Sequence, residues 1–423
     1  MNIAPPREVT DQPAVPRAED VSSAAASLFR PRVLKLAPTS FFGDYGCHVR
    51  ILEEALGLQR AGASVTICTY HTGRAVPGVT IQRSIDVPWR RGVQVGSNLH
   101  KVYLDALLGL RGMQLAVRER PDVIHGHLHE GAFVGYPIAR SLGVPLVFDC
   151  QGSMTSEMID HNFLGRDSRL YRPLRWLEHV INDHADVIIT STRHTADMLV
   201  RDFGCPARKV FPVPDGVNPF TFVPHWKVEE ERKVRLRRAL AIPSGRKIVV
   251  YLGLLAEYQG CGHLLRAAAR ILRQQHDVHF VLMGYPGQER YRAQARELGI
   301  DRHVTFTGRV PYEHAPLYLA MGDVAVSPKL SETEGNGKLF NYMAVGLPTV
   351  TFDTPVSREI LGECGIFATL GDDAALAQAL TTVLDDDVLA ADLGRRLRER
   401  VVQHYSWDAS VARILEVYQH VLK

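Results

Sequence analysis

The hydrophobic positions of this chain form short continuous runs that alternate with longer stretches of helical spacing. In the first half the runs predict strands at 33–37, 64–70, 79–85, 122–127, 145–149 and 186–190. Helical spacing lies between them at 45–61, 100–119, 130–141, 168–184 and 193–203. Continuous Val/Ile/Leu runs are typical of parallel strands covered by helices on both faces. The first half is therefore predicted to be a doubly wound α/β layer.

The same alternation restarts after residue 245. Strands are predicted at 247–253, 279–284, 304–308, 323–328, 349–353 and 365–369, and helices at 260–275, 288–298, 313–321, 338–345, 372–384 and 387–403. A cluster of prolines with Asp215 and Gly216 places the interdomain hinge at 212–219. We therefore expect a disordered tail at 1–30, a first domain at 31–215 and a second at 216–405. A charged helix at 228–240 leads into the second domain, and a last helix within 406–423 is predicted to pack back onto the first.

Composition narrows the function classes. The chain has 423 residues, 46% of them hydrophobic and 22% charged, with a net charge of +3, as in an ordinary globular protein without a nucleic-acid partner. The six cysteines form no C-x-x-C pair, which favours reduced thiols. Since residues 1–30 hold no apolar segment typical of a signal peptide, and no apolar run reaches the ~20 residues of a membrane helix, we expect a cytoplasmic protein.

The segment 327–348 carries the strongest chemical signal. It leaves a predicted strand, passes Glu332 and Glu334, and enters a helix at Lys338 through Gly335 and Gly337. A glycine-rich turn that opens a helix presents free backbone N–H groups and the positive end of the helix dipole, which suits a diphosphate. The alternative is an ordinary strand–helix turn with solvated charges.

Two further segments follow strands of the first domain. His125, His127 and His129 have the spacing of metal ligands only if the chain stays extended, and here it turns into a helix, so zinc is disfavoured. We expect His127 to donate to a phosphate or hydroxyl, the alternative being a packed histidine. In the segment 36–52, Gly43 and Gly46 lie in a loop between a predicted strand and a predicted helix, where glycine gives the backbone conformational freedom.

Several known motifs are absent from the sequence. There is no G-x-G-x-x-G for NAD or FAD, no G-x-x-x-x-G-K-[ST] P-loop and no G-x-S-x-G nucleophile elbow. The acidic triplet at 385–387 lies between two predicted helices and is interpreted as a helix cap.

Together these segments resemble the retaining glycosyltransferases of family 4, which have the GT-B fold. The family's donor-site motif, E-G-x-G followed by a second glutamate and M-A-x-G-x-P, is similar to residues 334–350. Residues 41–52, 122–131, 211–220 and 251–261 resemble, in order, its first glycine loop, its H-x-H strand end, its hinge and its first donor-domain strand. The resemblance covers roughly residues 32–420.

The resemblance implies two Rossmann-like, doubly wound parallel-sheet domains that face each other across a cleft. It implies transfer of a sugar from a nucleoside diphosphate sugar to a hydroxyl acceptor (glycan, lipid-linked or small molecule) with retained configuration, and no metal or other cofactor. The residues it assigns to catalysis are Glu334, His127 and Lys338. Those assigned to the donor are Gly46, Gly253, Leu254, Gln259, Glu332, Gly335, Asn336, Gly337, Leu339 and Asn341. Those assigned to the acceptor side are Gly43, Asp44, Tyr45, His129, Glu130 and Gln151.

The chain departs from the family pattern at three points. The second glutamate falls on Asn341, one residue early, and asparagine offers ribose only a neutral partner. The arginine and lysine that follow the first strand of the donor domain fall on Leu254 and Gln259. Since a diphosphate needs compensating charge, we expect Lys338 and Lys329 to supply it.

The sequence leaves other functions open. A non-catalytic nucleotide-sugar-binding or partner subunit would explain the lost cations, and an epimerase or hydrolase would share the architecture, whereas a Rossmann oxidoreductase lacks its fingerprint. The basic stretch 89–120, with Trp89, Arg90, Arg91, Lys101, Tyr103 and Arg111, suits peripheral contact with the inner face of a membrane or a lipid-linked acceptor. A solvated helix face is the alternative for that stretch.

Overall fold

A computed structural model describes residues 29–87, 101–161, 163–274 and 277–423. Most of the predicted N-terminal tail, together with Trp89, Arg90 and Arg91, lies outside these residues. Within them, no helix is both long and apolar enough to cross a membrane.

The first domain is built on a sheet of seven parallel strands in the order β3-β2-β1-β4-β5-β6-β7. The strands are β1 Arg32–Ala37, β2 Ser64–Thr69, β3 Thr80–Arg83, β4 Val123–His127, β5 Leu146–Cys150, β6 Val187–Thr190 and β7 Val210–Pro212. The six predicted strands are present with shifted ends. The short edge strand β7 was not predicted, because it has only three residues and ends in a proline. Proline is tolerated there because β7 lies at the edge of the sheet.

The second domain contains a sheet of six parallel strands in the order β10-β9-β8-β11-β12-β13. They are β8 Lys247–Leu252, β9 Val278–Met283, β10 Val304–Gly308, β11 Val324–Ser327, β12 Thr349–Phe352 and β13 Ile366–Ala368. All six were predicted. In each sheet the strand order reverses beside the first strand, so a crevice forms at the carboxyl ends of the strands, where open α/β sheets bind ligands.

Helices cover both faces of the two sheets. In the first domain they are α1 Gly46–Arg60, α2 Lys101–Glu119, α3 Leu128–Leu142, α4 Met154–Asp160, α5 Tyr171–His184 and α6 Arg193–Phe203. The rest are α7 Glu230–Ala239, α8 Cys261–Arg273, α9 Gln288–Glu297, α10 Ala315–Ala320, α11 Lys338–Val345, α12 Pro355–Leu361, α13 Asp373–Asp385, α14 Asp387–His404 and α15 Trp407–Val421. The predicted helices are present. The seven-residue helices α4 and α12 were not predicted, since two turns are too short for a readable period.

Helix α15 returns to the first domain. Val411, Ile414 and Val417 pack in the same hydrophobic cluster as the strand residues Val33 and Val65. The chain therefore crosses between the domains twice, and the two crossings run side by side, since the backbone N–H of Val217 donates to Tyr405 at 3.0 Å. The first of these crossings lies in the segment 212–219 that was predicted as the hinge.

The loops after β8 and β11 are held against each other at the cleft. Gly260 has a φ of +75° and packs against the Pro328 carbonyl so closely that a Cβ would clash with it. The backbone N–H of Leu330 donates to Tyr258 at 2.9 Å across the same contact. This close approach places Gln259 beside the segment that runs into the glycine turn before α11.

Candidate active site

A cavity of about 250 Å³ lies between the two domains, at the carboxyl ends of both sheets. Most of the residues that were predicted to form a site line it. They are Asp44, Tyr45, Gly46, His129, Glu130, Gln151, Gly253, Leu254, Gln259, Glu334, Gly335, Asn336, Gly337, Lys338 and Asn341. Gly43, His127, Glu332 and Leu339 do not line the cavity. The glycine turn at 335–338 therefore opens onto the space between the paired sheets.

The glycine turn has free backbone donors at the end that leads into α11. The backbone N–H of Gly335 donates to the Gln151 carbonyl of the opposite domain at 3.2 Å, and that of Leu339 donates to Asn336 at 3.0 Å. Among the described residues, the N–H groups of Gly337 and Lys338 have no acceptor. These two groups, at the N-terminus of α11, form a ready site for an anion. The predicted use of the Leu339 amide is not met in this structure, because that amide is already bonded.

Lys338 supplies a cation at the same place. Its Nζ donates to Gln259 Oε1 at 2.6 Å and lies 4.7 Å from the centre of the Tyr251 ring. Burial, and then the nearby charge of Lys329, lowers the pKa of Lys338 to about 7. The Nζ of Lys338 is therefore hydrogen-bonded to Gln259, the position where the family pattern has a lysine.

A second lysine holds the acidic side of the turn. Lys329 is buried, and its Nζ lies 2.7 Å from Glu334 Oε2 and 2.6 Å from the Gly335 carbonyl. The Glu334 carboxylate is thereby fixed at the cavity wall with its charge compensated. Glu332, two residues earlier, is exposed and lies away from the cavity.

The predicted glycine loop of the first domain joins the two domains across the cleft. Asp44 accepts a bond from Arg309 Nε at 2.7 Å and one from the Tyr312 backbone at 3.1 Å, and it also pairs with Arg74 at 2.8 Å. The Tyr285 hydroxyl donates to the Gly43 carbonyl. Burial alone would raise the pKa of Asp44, but these donors together lower it.

Next to this loop lies a cluster of buried charges that was not predicted from the sequence. We call it the buried ion cluster; it consists of Lys35, Arg50, Glu54, His127, Asp149 and Asp215. Arg50 contacts Glu54 at 3.1 Å, Asp149 at 2.8 Å and Asp215 at 2.7 Å. Lys35 pairs with Glu54 at 2.5 Å. Burial would lower the pKa of Arg50, but its three carboxylates raise it well above the ordinary value. The cluster connects β1, α1, β4 and β5 to the start of the hinge.

His127 belongs to this cluster and is fully buried. Its Nδ1 lies 2.7 Å from Asp149 Oδ2 and its Nε2 lies 3.3 Å from Lys35 Nζ, so both ring nitrogens are engaged. Burial and the Lys35 charge lower its pKa, which keeps the ring neutral. His127 therefore does not line the cavity, because Asp149 and Lys35 hold its ring in the interior, whereas His129, predicted on the acceptor side, does line it.

The histidines do not converge on one point. His125 and His127 stack with ring centres 4.5 Å apart, whereas His129 packs against Phe148. Donor atoms of His125, His127, Glu54 and Asp149 do lie within 4.8 Å of one another. Both of those carboxylates are already bonded to Lys35 or Arg50, so this set is compensated by cations of the protein itself.

Helix α4 adds a residue that sequence analysis missed. Glu157 lines the cavity, and its Oε1 lies 2.7 Å from the point where a Cβ on Gly152 would be. The same point is 3.2 Å from the Cα of Glu334 in the other domain. Glu157 is part of a short helix without a readable period, so the only signal available was its place after the carboxyl end of β5.

Comparisons with known proteins agree with this geometry. Residues 45–216 match the model of the glycosyl transferase 4-like domain, and residues 233–400 match that of glycosyl transferases group 1. The chain is 28% identical over 310 residues to a D-inositol 3-phosphate glycosyltransferase of Corynebacterium diphtheriae, covering 71% of this chain and 70% of that one.

Solved structures share the fold. Sucrose-phosphate synthase of Thermosynechococcus elongatus has a TM-score of 0.78 at 20% identity, covering 92% of this chain and 99% of that one. HepE of Anabaena, in complex with UDP and glucose, has a TM-score of 0.75 at 17% identity, with 92% and 100% covered. These structures show the GT-B fold, and the two matched domains, a glycosyl transferase 4-like domain followed by a glycosyl transferases group 1 domain, identify the chain as a glycosyltransferase.

Proposed function

We propose that this protein transfers a sugar from a nucleoside diphosphate sugar to a hydroxyl group of an acceptor, with retained configuration and without a metal ion. The observation that carries the proposal is the turn at 335–338. Its free N–H groups at Gly337 and Lys338 and the Lys338 ammonium face a cavity between two paired sheets. Free amides at a helix N-terminus beside a lysine suit a diphosphate.

The two walls of the cavity are assigned different substrates. The second domain would hold the donor, with the diphosphate on the turn, the sugar hydroxyls on Glu334 and the ribose beside Asn341. The first domain would hold the acceptor, along Tyr45, His129 and Glu130. The names of the relatives support sugar transfer, and a structural neighbour was solved with UDP-glucose.

The proposed chemistry is electrostatic. As the bond between the anomeric carbon and the phosphate oxygen breaks, the carbon gains positive charge and the diphosphate gains negative charge. The two amides and Lys338 stabilise that negative charge in a site largely closed to water. The acceptor oxygen forms its bond on the same face of the sugar, and its proton passes to the departing phosphate oxygen.

Closure of the cleft would protect the donor from water. The contacts of Asp44 with Arg309 and Tyr312 hold the glycine loop of the first domain against the second domain. They lie at the rim of the cavity that the donor would occupy, so they favour the closed form.

A thermal-shift screen against UDP-, GDP-, ADP- and CDP-sugars tests the proposal. A donor at 100 times its Kd should stabilise the folded protein by about 2.7 kcal/mol. Product analysis with and without acceptors then follows. Transfer to a hydroxyl supports the proposal, donor isomerisation or hydrolysis alone supports an epimerase or hydrolase, and binding without turnover supports a non-catalytic subunit.

Donor binding should weaken as the pH rises above 7. Burial lowers the pKa of Lys338 to about 7, and a bound diphosphate favours its protonated form, so binding takes up a proton at alkaline pH. Donor affinity is expected to fall by up to about tenfold per pH unit between pH 7 and 9. Calorimetric titrations at several pH values measure this slope.

The Lys338→Arg variant is the matched control for this pH dependence. Arginine stays charged throughout the range, so its affinity for the donor should lose the pH dependence while keeping a cation at the site. An equal slope in the wild type and in Lys338→Ala would show that another group is responsible.

The Gly152→Ala substitution should impair activity while leaving the fold stable. The new Cβ would lie 3.2 Å from the Cα of Glu334 in the second domain, so it would press the two domains apart. We expect kcat/KM to fall by about tenfold or more, as for other small misplacements of a closed site. The Cβ would also lie 2.7 Å from Glu157 Oε1 in its own domain, but this atom ends a flexible side chain that can move aside, so the urea midpoint should change little.

Gly165→Ala provides the comparison for Gly152→Ala. Gly165 lies in the same domain, and a Cβ there would meet nothing within 4 Å. Its kcat/KM should equal that of the wild type, and equal losses in both variants would argue against the closure contact at Gly152.

A further inference from the structure

The charges that line the cavity are distributed unequally between its two walls. Four of the five lining carboxylates are already paired with cations. Asp44 pairs with Arg309 and Arg74, Glu130 with Lys101, Asp215 with Arg50, and Glu334 with Lys329. The fifth carboxylate, Glu157, has no hydrogen-bond or ion-pair partner among the residues that the structure describes.

The lining lysines and arginine show the complementary pattern. Arg50, Lys101 and Lys329 are each bound to a carboxylate. Within the described part of the chain, Lys338 alone among them has no carboxylate partner, and its Nζ donates to the Gln259 amide oxygen. The donor wall therefore has a cation without a counterion, and the acceptor wall has an acid without one.

Glu157 lies where an acceptor must approach the donor sugar. It lies in the first turn of α4, and a Cβ on Gly152 would lie between its Oε1, at 2.7 Å, and the Cα of Glu334, at 3.2 Å. Glu334 is the carboxylate assigned to the donor sugar, so Glu157 faces the sugar from the opposite domain. A substrate hydroxyl that reached the anomeric carbon from the first domain would pass this side chain.

The environment of Glu157 makes it a partner for neutral hydroxyls. Burial, followed by the negative charges of Glu334 and Glu130, raises its pKa well above the ordinary value. A raised pKa favours the protonated carboxyl group, which both donates and accepts hydrogen bonds, as a polyol requires. A phosphate placed here would lie near the carboxylates of Glu334 and Glu130, and among the described lining cations only Lys338, on the donor wall, has no carboxylate partner.

We propose that Glu157 determines acceptor specificity, and that the acceptor is an uncharged polyhydroxy compound, a sugar or cyclitol, rather than a phosphate ester. This proposal rests on the proposed transferase function. It predicts a difference from the relatives named D-inositol 3-phosphate glycosyltransferase, since the described acceptor wall offers a phosphate carboxyl groups and no cation that lacks a carboxylate partner.

The test uses the full-length protein, the nucleotide sugar selected by thermal shift, and acceptors in matched pairs. The pairs are myo-inositol with D-inositol 3-phosphate, and glucose, mannose and N-acetylglucosamine each with its 6-phosphate. In the wild type, transfer to at least one neutral member should exceed transfer to its phosphorylated partner by about tenfold or more in kcat/KM. Equal rates within every pair, including no transfer to any, or a preference for the phosphate esters, would overturn the proposal.

Variants of Glu157 separate specificity from folding. Glu157→Lys should reverse the preference within a pair toward the phosphate ester, and Glu157→Gln should raise KM for the neutral acceptor without changing donor affinity. Glu416→Gln, an exposed glutamate on α15, is the matched control. A preference within the pairs that stays the same in Glu157→Lys would rule out the proposed role. Absence of donor binding in the wild type would instead contradict the transferase function itself.

Discussion

Replacing Lys338 by alanine is expected to lower kcat/KM for the nucleotide-sugar donor by about 10- to 100-fold. The Nζ of Lys338 is the cation of the cavity wall that no carboxylate neutralises within the described residues, and it stands beside two free N–H groups. A hydrogen bond between a charged group and its partner contributes about 1.5–3 kcal/mol, which corresponds to this loss. Donor affinity from calorimetry and initial rates of transfer measure the effect.

Lys227→Ala is the control for Lys338→Ala, and a double variant tests whether the lost activity can be restored. Lys227 is exposed in the same domain, so its removal should leave both donor affinity and rate unchanged. The double variant Lys338→Ala, Gln259→Lys returns a cation to the position where the family pattern has one, 2.6 Å from the lost ammonium. It should recover part of the activity. A Lys338→Ala protein that binds and turns over donor like the wild type would refute the assigned role.

Replacing Arg50 by methionine should destabilise the protein by about 3–5 kcal/mol. Arg50 is buried and compensates Glu54, Asp149 and Asp215, so its removal would leave carboxylates without a counterion in the interior. Removing one partner of a buried ion pair lowers the free energy of unfolding by an amount of this order. The midpoint of urea unfolding should fall accordingly.

Arg60→Met is the matched control on the same helix. Arg60 is 53% exposed and pairs with Asp408, which is 80% exposed. A surface pair of this kind contributes about 0–1 kcal/mol, so the unfolding midpoint should hardly move. Equal midpoints for the Arg50 and Arg60 variants would mean that the buried ion cluster does not stabilise the fold.

The agreement between predicted and observed strands has a local cause. A strand buried on both faces is apolar over most of its length, so the segments 146–148 of β5, 187–189 of β6 and 248–252 of β8 appear as short hydrophobic runs whatever surrounds them. The turn before α11 was also predictable, because glycines between a strand and a helix define free N–H groups without reference to distant residues. The edge strand β7 and the helices α4 and α12 were missed, since each is too short to show a period.

Side-chain partnerships were not predictable in the same way. Lys35, Arg50, Glu54 and Asp149 look like ordinary surface charges in the sequence, yet β1, α1 and β5 bring them together out of water. His127 was expected at the cleft because it ends a strand, but Asp149 and Lys35 take both of its ring nitrogens. Direction and partners depend on neighbours that are distant along the chain.

The amino-acid pattern was therefore sufficient for two α/β sheets and for the glycine turn at 335–338 that opens α11. Both features depend on the spacing of hydrophobic residues and on free backbone N–H groups, which are determined within a few residues of the chain. The folded arrangement alone set the charge of each wall of the cavity. Lys338 meets Gln259 from 79 residues away, and Glu157 faces Glu334 from another domain. Such pairings arise from packing, which brings distant segments close enough for their charges to interact.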